Sequence, residues 1–241
     1  MGIEREGYMS TISKEHSDRL YWLGRYTERV FTTLLTLQKL YDNMLDQQRG
    51  YTEYLGYFGL PDSYGSSKAF IRSFLYEESN PNSVAYSLER AYDNGIVLRE
   101  EISTESLSFL QLAKDTLKKS EATANPRLSL LPLKDQLYAF WGCLSDSIFN
   151  DEKRNIVYCG RSVERLDLYI RTDYPYKEVK KEFERLCKRL INMPEHTPYC
   201  SNIGMLEKLG HIIGTAELYV AERRSALDVL SCLFETSEVR V

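Results

Sequence analysis

A six-residue phrase, Gly-Arg-x-x-Glu-Arg, occurs twice in this chain, at residues 24–29 and again at residues 160–165. Both occurrences lie in segments whose apolar residues recur with the period of an α-helix. The residues that flank them also correspond in character: Leu20 with Ile156, Leu23 with Cys159, Val30 with Leu166, and Leu34 with Ile170. The phrase therefore predicts a fold with an internal pseudo-repeat, in which two related helices carry the same charges.

The glycine that opens each phrase predicts close packing. A glycine in a helix interior costs about 1 kcal/mol relative to alanine. Gly24 and Gly160 both stand inside helical sequence. We therefore expect another backbone to approach each helix at the point where a side chain is absent.

Apolar residues recur three and four positions apart along most of the chain, which is the spacing of one helix face. Three long stripes predict helices over residues 14–46, 83–119 and 201–234. Shorter stripes predict further helices, over residues 66–78, 134–149, 151–174 and 176–191. No segment sustains the alternation that is typical of a strand. The sequence thus predicts an all-α protein, a bundle of long antiparallel helices.

Length and charge narrow the functional classes. A chain of 241 residues can bury one substantial core, and we expect a single domain over residues 1–241, with a flexible segment over residues 1–13. The net charge of −4 gives no reason to expect nucleic acid or an anionic membrane as a partner. No apolar run approaches the roughly 18 residues that a membrane span needs, and the first residues lack the apolar part of a secretory signal. We therefore expect a cytoplasmic protein.

No local signature of a metal, a cofactor or a nucleophile is present. The five cysteines contain no Cys-x-x-Cys pair, which predicts reduced thiols and no zinc site. No histidine follows a glutamate by three positions, as a di-iron bundle requires. The glycine-rich loops of nucleotide-binding folds and the Gly-x-Ser-x-Gly of hydrolases are missing as well. The sequence predicts no cofactor and leaves open whether the chain is an enzyme.

The charges of the repeated phrase allow two interpretations. On a helix Arg25 neighbours Glu28 and Arg29, three and four positions further on. One interpretation is a solvated face, where such an ion pair contributes only a few tenths of a kcal/mol. However, Tyr21 and Trp22 lie on the same side, and large aromatic side chains favour a second, partly buried helix interface there.

Two further charges interrupt apolar stripes, namely Glu105 and Arg223. An unpaired charge in a core costs several kcal/mol, so each should have a partner. We predict a charged network inside the bundle that links both to the charges of the repeated phrase. The network would comprise Arg25, Glu28, Arg29, Glu105, Arg161, Glu164, Arg165 and Arg223. It could fix the register of the helices, or it could bind a ligand.

Three segments together resemble a known family. Residues 21–29 resemble the opening motif of the alpha-E domain family, all-helical bacterial proteins with a repeated Glu-Arg motif. Residues 91–105 are similar to the central helix of that family, and residues 159–165 to its second Glu-Arg motif. The three segments occur in the family's order and extend over most of the chain.

The resemblance implies a function through the genes that accompany members of the family. Such proteins are encoded beside, or fused to, circularly permuted ATP-grasp ligases, with transglutaminase-like or proteasome-like proteins nearby. It implies an accessory protein in peptide or amide-bond metabolism that is not itself catalytic. The alternative is a catalytic or substrate-binding subunit in amide-bond formation or cleavage, whose Arg/Glu network binds an anionic substrate. Charges that line an open cleft would favour binding, and charges that only pair with each other would favour a structural role.

Overall fold

The computed structural model describes residues 12–45, 50–122, 129–193 and 202–234, and helices dominate all four ranges. The predicted all-α fold is confirmed. The helices are α1 (Lys14–Leu45), α2 (Tyr51–Phe58), α3 (Ser67–Tyr76), α4 (Val84–Val97), α5 (Arg99–Ile102), α6 (Thr104–Glu121), α7 (Leu131–Ser147), α8 (Asp151–Arg171), α9 (Tyr176–Ile191), α10 (Ile203–Gly214), α11 (Ala216–Ala221) and α12 (Arg223–Ser231). Of the segment predicted to be flexible, residues 1–11 lie outside the described ranges, whereas Ile12 is buried.

Helix α1 lies at the centre of the bundle, between α4 on one side and α8 on the other. Its predicted apolar stripe is buried from Leu20 to Leu37. Helix α4 runs antiparallel to α1, because Tyr26 packs on Tyr86 while His16 pairs with Glu101, just beyond α4. The pairs α6–α7 and α8–α9 are antiparallel too, as predicted.

The α1–α8 pair runs parallel and so departs from the antiparallel pattern. Gly24 lies against the backbone at Val157 and Arg161, and further along Lys39 Nζ lies 3.1 Å from the hydroxyl of Tyr174, beyond the end of α8. Equivalent positions of the two phrases therefore face each other. The internal pseudo-repeat of the Gly-Arg-x-x-Glu-Arg helix stays a prediction.

The helix predicted over residues 83–119 is divided into α4, the short α5 and α6. Ser83 caps α4 by accepting a hydrogen bond from the backbone N–H of Tyr86, but Ser103 has φ 70° and ψ 152°, a conformation that ends a helix. The Ser103 hydroxyl accepts from the N–H of Ser106 and from the hydroxyl of Ser147. Helix α6 then returns along α4, so the single long apolar stripe belongs to both arms of a helical hairpin.

The stripe predicted as one helix over residues 201–234 is also divided. Residues 194–201 lie outside the described ranges, and α10, α11 and α12 follow in succession. Thr215 is extended, and its side chain accepts from the N–H of Leu218, so one helix ends and the next begins there. Helix α12 then packs against α10 and α8.

The aromatic-rich segment over residues 51–64 packs on the bundle. It contains the short helix α2, where Tyr54 is buried. The ring of Tyr54 packs edge-on to Phe70 and Phe74 of α3, and Tyr64 packs on the same two rings. These contacts hold α2 and the segment after it against α3.

We expect Gly24→Ala to lower the free energy of unfolding by about 3 kcal/mol or more, because overpacking against backbone forces a helix to move. An ideal Cβ at Gly24 would lie 2.1 Å from the carbonyl oxygen of Val157. The matched control is Gly142→Ala in α7, where a Cβ meets nothing within 4 Å. In the control, the free energy of unfolding should rise by about 0.5–1 kcal/mol. Equal effects of both substitutions in urea unfolding would contradict the close contact.

A candidate anion-binding site beside the paired Glu-Arg helices

The two phrases meet backbone to backbone. An ideal Cβ at Gly160 would lie 2.1 Å from the carbonyl oxygen of Tyr21, and one at Gly24 equally close to that of Val157. Each glycine therefore occupies the contact point of the other helix, as the sequence predicted. With no side chain between them, α1 and α8 lie close enough for the following charges to reach across.

The carboxylate of Glu28 on α1 binds two arginines of α8. Its side chain is 0% exposed. Arg161 Nε donates to Oε2 at 2.9 Å, while Arg165 donates to Oε1 from Nε at 2.7 Å and from Nη2 at 2.5 Å. Both carboxylate oxygens are thereby bound by guanidinium groups.

The carboxylate of Glu164 on α8 binds two arginines of α1 in return. Arg25 Nε donates to Oε2 at 2.7 Å, and Arg29 donates from Nε at 2.6 Å and from Nη2 at 3.0 Å. The arrangement is reciprocal, because every contact from α1 to α8 has a counterpart from α8 to α1. The sequence suggested Arg25–Glu28 pairs within one helix, whereas the structure places the ion pairs between the helices.

The electrostatics of this cluster favour ionised side chains. Burial alone raises the pKa of Glu164, but the charges of Arg29 and Arg25 outweigh it and lower the pKa to about 2. Burial lowers the pKa of Arg25, Arg29 and Arg165, while the facing glutamates raise it more, so the net direction is upward. Near neutral pH these groups are fixed ions that have no proton to exchange.

Aromatic side chains hold the guanidinium groups in place. The Arg161 guanidinium lies 4.1 Å from the centre of the Trp141 ring. On the other helix Arg25 lies 5.2 Å from the ring of Trp22. Cation–π contacts of this kind stabilise a buried guanidinium and fix its plane. The second, partly buried interface that the aromatic residues favoured is therefore present.

A third buried carboxylate, Glu182 of α9, joins the cluster and was missed from the sequence. It accepts from the hydroxyl of Ser162 at 2.7 Å and from Arg185 at 2.9 Å, and Arg165 Nη1 lies 3.5 Å away. A signal was available, because Glu182 lies at helical spacing between Val179 and Leu186, which are both buried. A lone acid inside an apolar stripe indicates a buried partner.

A cleft of about 540 Å³ opens beside the cluster, between α8 and α9. Its lining residues recur at helical spacing on each helix, so it follows the groove between them. Five of the lining side chains are cations and one is an acid: Arg161, Arg165, Arg185, Lys188 and Arg189, with Glu182. In a chain with a net charge of −4 this is a concentrated positive surface.

The outermost cations of this cleft have no acidic partner among the residues that the structure describes. Arg189 donates to the amide oxygen of Asn155 at 3.2 Å and lies over the ring of Tyr158 at 4.6 Å. Lys188 is exposed, one residue before it. Their charges are therefore available to an anion that enters the cleft.

The structure does not place Glu105 or Arg223 in the cluster, and that part of the predicted network is wrong. Glu105 is exposed in the first turn of α6. Arg223 begins α12 and pairs with Asp173 at 2.5 Å. The physical reason is shared: each residue stands where a new helix begins, so the polar interruption of the stripe marked a helix end and not an interior charge.

Other features bear on the chemistry. In the part of the chain that the structure describes, no group of three or more His, Cys, Asp or Glu side chains could hold a metal ion. Burial raises the pKa of the Cys159 thiol to about 12, so this cysteine stays protonated. Among the described helices none is long and apolar enough to cross a membrane. Cys200 lies outside the described residues.

Comparison with protein families gives one match. A model of the Alpha-E family, described as a predicted alpha-helical domain with a conserved ER motif, matches residues 15–185. This range includes both Glu-Arg helices and most of α9. Searches against curated proteins and against solved structures gave no match.

We expect Glu164→Gln to lower the free energy of unfolding near pH 7 by about 3–5 kcal/mol, because it leaves Arg25 and Arg29 without their counter-charge. The folded pKa of about 2 lies below the usual 4.5. The ion-pair contribution, roughly 3 kcal/mol, is therefore present above about pH 4.5 and is lost as the pH falls towards 2.

Urea unfolding at a series of pH values from about 7 down to 3 measures this dependence. The control is Glu100→Gln, whose side chain is 83% exposed. It should leave both the stability and its pH dependence close to those of the unsubstituted chain. A Glu164→Gln protein that keeps the same pH slope would contradict the assignment.

Proposed function

The chain belongs to the Alpha-E family, and on that basis we propose that it is an accessory subunit that binds an anionic group for an ATP-grasp-type peptide or amide ligase. The group would be a carboxylate or a phosphate on the substrate or product of that ligase. The observation that carries the proposal is the α8–α9 cleft, where five cations face one acid. A cytoplasmic location, where the ligase would find its ATP, is part of the proposal.

The state of the glutamates supports binding over acid–base chemistry. A general acid or base works best with a pKa near the operating pH. The pKa of Glu164 is lowered to about 2, and Glu28 is fully buried with guanidinium groups on both oxygens. These carboxylates are already engaged, and they serve to orient the arginines.

The orientation of the arginines supports recognition of an anion. Arg161 uses its Nε on Glu28, and its guanidinium plane is held against Trp141. The Arg161 side chain also lines the cleft. A fixed guanidinium loses less conformational entropy when it binds a carboxylate or phosphate, and it can bind with two parallel hydrogen bonds.

The proposed partners come from the family resemblance. An ATP-grasp-type ligase is the first, and transglutaminase-like or proteasome-like proteins encoded nearby are others. An accessory subunit would hold the anionic end of a peptide while the ligase acts on the remainder. The alternative, a subunit that is itself catalytic in amide-bond formation or cleavage, would use the same cleft and predicts turnover by the isolated chain.

We expect the double substitution Lys188→Gln/Arg189→Gln to weaken binding of a short oligoglutamate peptide, and of pyrophosphate, by about tenfold or more. Loss of a charge-assisted hydrogen bond costs about 1.5 kcal/mol or more, which corresponds to a factor of ten. Isothermal titration calorimetry at fixed ionic strength measures the affinity. The matched control is Lys118→Gln/Lys119→Gln in the last turn of α6, on the surface. Equal affinity of both double variants would defeat the assignment of the cleft.

We expect the chain to co-purify with an ATP-grasp-type ligase from the same organism and to raise the rate of that ligase on a peptide substrate. The cleft variant Lys188→Gln/Arg189→Gln should bind the ligase and yet lose the stimulation, because it retains the fold and loses the anion site. Absence of a complex together with unchanged ligase activity would refute the accessory role. Turnover by the isolated chain would favour the catalytic alternative.

A further inference from the structure

A second cavity lies at the other end of α8, between α2 and α12, with a volume of about 520 Å³. Its residues on α8 are Ile170 and Arg171, about ten positions beyond Arg161. At about 1.5 Å per residue the cavity lies about 15 Å along the helix from Arg161 and about 8 Å from Arg165, the last residue of α8 that lines the α8–α9 cleft. The two cavities have no lining residue in common.

Three arginines line this cavity, and no acid does: Arg171, Arg223 and Arg224. Two of them pair with carboxylates that do not line the cavity. Arg171 donates to Asp167 from Nε at 2.7 Å and from Nη2 at 3.0 Å, and Arg223 pairs with Asp173. Arg224 is exposed and has no acidic partner in the described ranges. The local balance is therefore one uncompensated positive charge, together with N–H groups of three guanidiniums.

The remaining lining residues are apolar, aromatic or glycine, and the hydroxyl of the one tyrosine among them, Tyr57, donates to Glu53. Phe58 and Leu227 line the cavity beside Ile170, and the Arg171 guanidinium lies 5.8 Å from the centre of the Phe58 ring. Gly56 of α2 lines it as well, and a Cβ added there would meet nothing within 4 Å. One wall is thus bare backbone beside free space. The cavity therefore combines cationic and apolar lining residues.

We propose that this cavity binds a monoanionic carboxylate that carries an apolar body. One uncompensated charge matches one carboxylate, and a guanidinium binds a carboxylate with two parallel hydrogen bonds. The apolar body lies against Phe58 and Leu227, which are half-buried, and its burial there contributes to affinity. Two sources share this chemistry: the C-terminus of a peptide that ends in an apolar residue, and a free aliphatic acid.

The inference is independent of the proposed function, because it rests on other residues. It also gives Arg223 a role that the charge cluster did not. The competing explanation is that the arginines only face the carbonyl groups at the end of α2, which attract cations. That explanation predicts no ligand, so binding measurements on the intact chain separate the two.

The probes are acetyl-Leu-Leu with a free C-terminus, the same dipeptide as its C-terminal amide, and hexanoate. Isothermal titration calorimetry on the full chain measures each. We expect the free acid to bind at least tenfold more tightly than the amide. Binding of hexanoate without the peptide assigns the site to a free acid, and the converse assigns it to a peptide end. Failure of both acids to bind at millimolar concentration overturns the proposal.

Two substitutions address the cavity from different sides. Arg224→Gln removes the uncompensated charge and should weaken binding of the free acid by about tenfold or more. Gly56→Leu places a side chain in the open space and should also weaken it, at an exposed position inside a helix where leucine is tolerated. The control is Arg72→Gln on α3, whose side chain is 76% exposed. An affinity unchanged by both cavity variants overturns the proposal.

The same titration separates this cavity from the α8–α9 cleft. Lys188→Gln/Arg189→Gln should leave the affinity for acetyl-Leu-Leu unchanged, and Arg224→Gln should leave oligoglutamate binding unchanged. If the cleft variant abolishes binding of the dipeptide, the apolar acid binds in the α8–α9 cleft, and the second cavity is refuted.

Discussion

The backbone contact between α1 and α8 at Gly24 and Gly160 is the constraint on which the rest of the structure depends. A single methyl group on either glycine would lie 2.1 Å from a carbonyl oxygen of the facing helix. At that separation a glutamate on one helix binds guanidinium groups of the other at 2.6 to 3.0 Å. Close approach and ion pairing therefore form one unit: the glycines bring the charges together, and the charges offset the burial of the carboxylates.

This unit also determines where positive charge is left over. Glu28 and Glu164 each bind two arginines, so the cluster carries more guanidiniums than carboxylates. Glu182 neutralises part of the excess on the side of α9. Of the four arginines, Arg161 and Arg165 line the α8–α9 cleft, where Lys188 and Arg189 add to the positive charge. A rigid ionic core with a positive edge is better suited to holding an anion than to exchanging protons, which is why the proposed function is one of binding.

Much of the fold and part of the candidate site could be predicted from the sequence. The period of apolar residues predicted the bounds of α1 and α8 almost completely, because each helix keeps one buried face along its length. It failed at Ser103 and Thr215, since a helical hairpin can continue the same stripe on its second arm. Glu105 and Arg223 were assigned to the interior for that reason. Both stand in the first turn of a helix, where a charge reaches solvent easily.

The sequence by itself determined the helical class and the close approach at the two glycines, because these depend on local period and on residue type. It also named the six charges that meet there, but together with Glu105 and Arg223, which do not. The tertiary structure alone decided which charges pair. Neighbours three positions apart, such as Arg25 and Glu28, were candidates for a pair within one helix. Because α1 packs parallel to α8, Arg25 instead pairs with Glu164, and Glu28 pairs with Arg161. The tertiary structure also decided the position of the cleft between α8 and α9, since a groove arises only when two helices are placed side by side.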